Sequence, residues 1–234
     1  MSGDSLEPAA VAARDAALVL ADALDAAPES TDLLAAADAS GADGEGLADA
    51  VSVAVDYVAS RAEDPDAWTA LIELAGYLHP SGCWRTEPRQ LLEDDLLAAF
   101  TDEVHRAAEN GTPLLAELCE SEAVATVATA AAGRSLAPNR IGYLRFDAPG
   151  TSEPVHVDIE QYPFVLHAVV EHVVPDGVTG SRLLVHTPDG VEYFPLAAGE
   201  AVVLAGRGTL HEFERLADGE HRYILCVGLD TPPQ

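Results

Sequence analysis

The chain has 234 residues, enough for one large domain or for a barrel with a helical extension, and 48% are apolar, which supplies a packed core and excludes global disorder. Its formal net charge is -28 and all 12 basic residues are arginine, so a nucleic-acid backbone, which needs clustered cations on its phosphates, is repelled. With no lysine present, Schiff-base chemistry, including the usual pyridoxal phosphate linkage, is excluded too.

The opening stretch, MSGDSLEPAAVAARDAALVLADALDAA, has no basic region, and acids interrupt its apolar runs. It reads as neither a signal peptide nor a membrane span. Residues 1–135 are rich in Ala, Leu, Glu and Asp. Apolar side chains recur there at three- and four-residue spacing, as in Ala17, Leu20, Ala21 and Leu24, or Val51, Ala54, Val55 and Val58. That spacing predicts about five or six helices. Breaks fall at Pro28, at the glycines of ASGADGEG, at Pro65 and at HPSG; residues 28–46 read alternatively as a loose acidic loop. The least helix-like stretch is YLHPSGCWRTEPRQ, residues 77–90, which gathers Trp84, Arg85 and Arg89. It is either a recognition loop carrying Arg85 to a substrate or a helix connection whose Trp84 packs on the core. Cys83, Cys119 and Cys226 are isolated, which suggests neither a disulfide framework nor a zinc site and fits a reducing cytoplasm.

From about residue 139 the texture changes to short β-branched and aromatic runs between turn signals. The runs are IGYLRF, PVHVDI, FVLHAVVEHV, SRLLVHT, VEYFPL, AVVLA, LHEFERL and HRYILCVGL. LLVHT-PDG-VEYF reads as a hairpin turning at Asp189-Gly190. Strands in series without intervening helices predict an antiparallel sandwich or barrel over residues 136–234, with helices 1–135 buttressing one face of it as part of one integrated α+β domain.

PVHVDI sets His156 and Asp158 two residues apart, hence on one face of a strand, where an imidazole and a carboxylate can converge on one ion. His211, at the start of a later strand, is the natural third ligand. Two histidines and one carboxylate on one face leave open positions that suit Fe(II) binding a cosubstrate and oxygen together. With 8 histidines in the chain, an HxD triplet alone also arises by chance.

The surrounding order, YLRFDAPGTSEPVHVD followed by GEAVVLAGRGTLHEFERLADGEHRYIL, resembles the prolyl 4-hydroxylase-like branch of the 2-oxoglutarate/Fe(II) oxygenase superfamily. Tyr143, Gly150, His156, Asp158, Gly199, His211, Gly219 and Arg222 carry it, over residues 140–230. The resemblance implies a double-stranded β-helix (jelly roll), with Fe(II), 2-oxoglutarate and O2 oxidising a C–H bond of a small molecule such as an amino acid or a natural-product intermediate. It implies His156, Asp158 and His211 as metal ligands and Arg222 as the cation for the distal carboxylate of 2-oxoglutarate, with Tyr143 as a second donor. The branch usually places its base ten residues after the distal histidine, which is His221 here, so His221 competes with Arg222. A permanent, bidentate guanidinium suits a carboxylate better. Relatives that halogenate carry a small residue where Asp158 stands, so hydroxylation or another halide-free oxidation is implied.

Arg145 and Arg140, on and before the first strand, compete with Arg85 as substrate-binding residues. His79, His105, His167, His172 and His186 read as ordinary helix or strand histidines, and Glu160 and Glu171 have no acid–base spacing. A cupin without 2-oxoglutarate is the alternative, since PLAAGEAVVLAGRGTLHEF also resembles its second motif, although cupins usually carry HxH where Asp158 makes HxD. A metal-free jelly-roll binding module is a third. No membrane partner is expected, and the oligomeric state is left open.

Overall fold

The computed structural model describes residues 16–20, 22–23, 30–41, 46–47, 50–52, 54–55, 65–77, 79, 81–92, 94–110, 122–158 and 163–231. The opening stretch to residue 15, Pro28, Cys119 and Glu160 lie outside them. Helices α1 (Ser30–Ser40), α2 (Pro65–Tyr77), α3 (Asp94–Asn110) and α4 (Glu122–Ala132) lie N-terminal to the run of strands that begins at residue 137. Residues 30–40, read alternatively as loop, are helical because Ala and Leu outweigh the acids there. No helix among the described residues is long and apolar enough to cross a membrane.

Among the described residues nine strands follow the pattern of apolar runs, with one addition: β1 (Arg89–Gln90), β2 (Ala137–Phe146), β3 (Glu153–His156), β4 (Phe164–Val173), β5 (Leu183–Thr187), β6 (Gly190–Phe194), β7 (Glu200–Leu204), β8 (Leu210–Phe213) and β9 (His221–Asp230). They form two antiparallel sheets, ordered β1-β7-β4-β9-β2 and β3-β8-β5-β6. In the β5–β6 hairpin Thr187 pairs with Gly190, so the turn residues are Pro188 and Asp189, one earlier than the Asp-Gly signal suggests. Gly190 instead opens β6 at φ +127°, a conformation that favours glycine.

Buried side chains from both sheets meet between them: Phe146, Val165, Val169, Leu183, Val185, Val202, Phe213 and Ile224 form one cluster. The alternate residues of the five-stranded sheet, among them Leu166, Ala168, Val203, Leu225 and Val227, pack on Phe100 of α3 and Val124 and Ala128 of α4. A third cluster joins α1 and α2 to Val157 and Leu210. Helices thus cover both sheets and not one face alone. Each fully buried leucine or phenylalanine contributes ~1.5–3 kcal/mol. Residues 81–92 do not hang free as a loop. They run along the edge of β7, with the Thr86 N–H on the Val203 carbonyl at 2.9 Å, a bridge from Arg85 to Leu204, and β1 beyond. An otherwise open sheet edge is closed in this way.

Candidate metal centre

His156 stands directly opposite His211 across the β3–β8 ladder. Asp158 lies two residues further on, its backbone N–H donating to the Gly206 carbonyl at 3.0 Å. Val157 and Leu210 point out to the helical cluster, so their neighbours His156, Asp158 and His211 point in between the sheets. His156 Nε2 is 3.9 Å from Asp158 Oδ1, and His211 Nε2 is 3.9 Å from Asp158 Oδ2. One ligand atom from each residue lies within 4.8 Å of the other two. Each imidazole donates its Nδ1–H to the carbonyl two residues upstream, Pro154 at 2.8 Å and Thr209 at 2.9 Å. Those bonds set the tautomer and leave both Nε2 lone pairs free to ligate.

The donor set fits a divalent cation. Asp158 Oδ2 and His211 Nε2 are buried and have no hydrogen-bond partner. Burial pushes the Asp158 carboxyl up to about 7, opposed by His156 and reinforced by Glu153. Burial, with His156 and His167 beside it, holds His211 well below the usual imidazole range. Acceptors facing acceptors leave an electrostatic gap that one metal ion would fill. Two imidazoles and one carboxylate form the set that suits Fe(II) with open positions.

Arg222 lies on the same inward face, with Ile224 and Cys226 following it on β9. It is 2% exposed, its guanidinium carbon is 4.7 Å from the Phe213 ring centre and 5.1 Å from that of Phe146, and its Nε and Nη2 have no partner. Burial holds it down to about 10, against the pull of Glu220, Glu214 and Glu153. His221 points the other way, with Nε2 2.9 Å from Glu171 Oε1. Tyr143 is also turned away: it packs with the helix-facing cluster, near Glu103 and Arg106 of α3, and its buried hydroxyl is raised above its ordinary value. The expectation that Tyr143 joins Arg222 on one carboxylate is corrected by strand parity, because the residue pairs with Leu225, on the opposite face from Ile224.

The three substrate arginines separate as well. Arg85 gives Nη2 to Glu192 Oε1 at 2.6 Å and Nη1 to Glu87 at 2.9 Å, and Trp84 packs edge-on to Phe164 at 5.8 Å. Arg145 lies on the helix-facing parity, paired with Asp147 at 2.8 Å. Arg140, opposite Gly228, keeps the parity of Leu144 and Phe146, the inward side. His172 bonds Glu220 at 2.7 Å, and His186 bonds Glu212 at 2.9 Å and stacks on Trp68.

Three residues beside the ligands have no site role in the sequence reading, which gives His167 as an ordinary strand histidine and Cys226 as an isolated cysteine and does not single out Glu153. Glu153 Oε1 is 3.8 Å from His156 Nε2. His167 is 3% exposed, its ring centre 5.4 Å from that of His211. Cys226 Sγ is 3.2 Å from His167 Nδ1. In FVLHAVVEHV every residue to Val170 is buried, so no alternation marks the face on which His167 stands.

No family model matches the chain, and no curated protein matches it. Among solved structures, SnoN from nogalamycin biosynthesis, a non-heme alpha ketoglutarate dependent epimerase, is similar with a TM-score of 0.50 at 17% identity, over 72% of this chain and 82% of that one. The same epimerase in complex with Fe3+, alpha ketoglutarate and nogalamycin RO gives 0.50 at 16% identity, over 72% and 85%. An oxidoreductase of the 2OG-Fe(II) oxygenase family from Burkholderia pseudomallei gives 0.49 at 13% identity, over 67% and 87%. The chain shares the fold of SnoN.

Proposed function

We propose that this protein is a double-stranded β-helix enzyme that uses Fe(II), 2-oxoglutarate and O2 to oxidise a C–H bond of a small molecule. One observation carries the reading: three inward ligand residues, of which Asp158 and His211 present unpartnered buried acceptors, share the inter-sheet space with the buried guanidinium of Arg222, whose Nε and Nη2 have no partner among the described residues. A cation at one place and an anion at the other answer both deficits. The complex of SnoN with Fe3+ and alpha ketoglutarate supports the pairing of that fold with those groups.

When bound, iron and 2-oxoglutarate supply a two-electron oxidation by O2, with succinate and CO2 as co-products. The chain's own share is positional. His156, Asp158 and His211 would hold the metal, their tautomers set by the Pro154 and Thr209 carbonyls. Arg222 would grip the distal carboxylate bidentately. Phe146 and Phe213 flank its guanidinium and keep water from it. The α1–α2 cluster braces the ligand-bearing strands from outside through Val157 and Leu210, and we read these helices as part of the same domain. Substrate selection falls to the inward rim, where Arg140 is the candidate.

The test is conversion of 2-oxoglutarate to succinate by the metal-reconstituted protein under air. Slow succinate formation, dependent on Fe(II) and absent in Asp158→Ala, is expected even without substrate. Iron-loaded protein that leaves 2-oxoglutarate intact with any substrate offered would favour a cupin-like activity instead.

A further inference from the structure

His167 stands on the inward face of β4 between the ligand-bearing sheet and Cys226 of β9. Its ring packs 5.3 Å edge-on to Phe213 and 5.4 Å from His211, with no carboxylate bonded to it. Among the buried side-chain atoms without a partner is its Nε2. The other ring nitrogen, Nδ1, meets Cys226 Sγ at 3.2 Å. That sulfur already receives the Leu144 backbone N–H, and burial first, then Glu153 and Asp158, keep the thiol protonated by raising it well above its ordinary value. A thiol that accepts from Leu144 has its S–H free, and the acceptor it meets is His167 Nδ1. The proton of the imidazole is then on Nε2. A buried N–H that no group among the described residues accepts, beside the metal ligands, is a donor waiting for a ligand's oxygen.

We infer that His167 is a further binding residue of this centre, whose Nε2–H donates to the anionic oxygen of a carboxylate held at the metal, namely the metal-chelating end of the 2-oxo acid whose far end Arg222 takes. The inference rests on the function proposed above and deepens it: the chain grips the cosubstrate at both ends, with a permanent cation at one and a neutral donor at the other. A neutral donor fits the metal end because a second cation there would repel the metal ion itself. Cys226 acts through His167, as the group that orients its tautomer.

The experiment is an anaerobic titration of Fe(II) and then 2-oxoglutarate into wild type, His167→Leu, His167→Asn, His167→Gln and Cys226→Ser, read by metal stoichiometry and by the visible charge-transfer band. His167→Leu should bind Fe(II) as wild type does, bind 2-oxoglutarate about ten- to a hundredfold more weakly, and show the band at shorter wavelength, because the donor that stabilised the acceptor orbital is gone. His167→Gln, which keeps an N–H at similar reach, should restore most of the affinity, and Cys226→Ser should stay near wild type. His167→Asn, shorter in reach, should fall between, and it carries the test if the leucine variant does not fold. Unchanged 2-oxoglutarate affinity and band in both His167→Leu and His167→Asn would overturn the inference while leaving the enzyme class intact. Loss of Fe(II) itself in those variants would overturn it in another way, making His167 a fourth ligand and the centre cupin-like. Wild type that binds Fe(II) without any 2-oxoglutarate band would remove the proposed function, and this role with it.

Discussion

Arg222 offers the sharpest perturbation, because function and stability pull it in opposite directions. Its guanidinium is almost wholly out of water, its Nε and Nη2 are unpartnered, and burial holds it down to about 10. The folded-state value lies below the unfolded one, so the folded chain binds that proton less tightly. The cost is therefore complete at neutral pH and fades only as pH rises past about 10. A displacement of that size corresponds to ~3 kcal/mol. Arg222→Met keeps the length of the side chain over Phe146 and Phe213 while removing the charge. Metal-free Arg222→Met should gain about 1–3 kcal/mol, the lower end allowing for the lost cation–π contacts. Urea unfolding would show this as a raised midpoint with an unchanged slope, and heating as a gain of roughly 2–12 °C for a chain of this size. The same variant should lose about a hundredfold in 2-oxoglutarate affinity, for want of a charge-assisted bidentate pair, while Fe(II) binding stays intact. A metal-free Arg222→Met that is less stable than wild type would mean that the guanidinium is well satisfied where it sits. Full retention of 2-oxoglutarate binding would mean that the cosubstrate's carboxylate lies elsewhere.

Glu220 accepts from the Ser181 N–H and hydroxyl, the Ala217 N–H and His172; burial pushes its carboxyl up, but these bonds outweigh it and bring it down to about 2. Its stabilisation is present above about pH 4.5 and is lost as pH falls towards 2, so Glu220→Gln should cost ~2–3 kcal/mol at pH 7 and flatten acid unfolding over that window. Arg140→Ala should abolish product formation while uncoupled succinate release continues, whereas Arg145→Ala should leave both unchanged; Arg85→Ala should lower the melting temperature through the lost Glu192 pair with turnover intact at 25 °C, and the reverse pattern would return recognition to residues 77–90. A Cβ on Gly208 would lie 2.4 Å from the Gly82 carbonyl, so Gly208→Ala should cost about 1–3 kcal/mol and loosen the turn that leads into His211, with weaker Fe(II) binding by calorimetry.

The order of the strands was legible because each apolar run is short and bounded by turn residues, and the two-residue spacing of His156 and Asp158 put them on one face from the outset. Which neighbour of a pair faces inward was harder. Arg222 and His221 differ by one residue, and the answer depends on the register of β9 against β4 and β2, which places His172 and Phe146 beside Arg222. The same parity moves Tyr143 to the helical side, where resemblance alone would have kept it on the cosubstrate. His167 reads as an ordinary strand histidine for a different reason: β4 is buried on both faces, so hydrophobicity carries no phase along it. The tie between Arg85 and Glu192 joins positions 107 residues apart, and no local pattern announces a pair of that kind. Helices α1 and α2 were legible as helices, but their seat on Val157 and Leu210 comes from tertiary packing alone.

The central claim is that His156, Asp158 and His211 hold one Fe(II) to which 2-oxoglutarate chelates. The measurement that meets it most directly is the visible spectrum of the anaerobic protein as Fe(II) and then 2-oxoglutarate are added, in wild type and in alanine variants of the three ligands. Wild type should show a weak charge-transfer band that saturates at about one Fe(II) per chain, requires 2-oxoglutarate, and is absent from His156→Ala, Asp158→Ala and His211→Ala. A band that survives at full occupancy in any one of those variants, or no band in wild type with both components saturating, would contradict it.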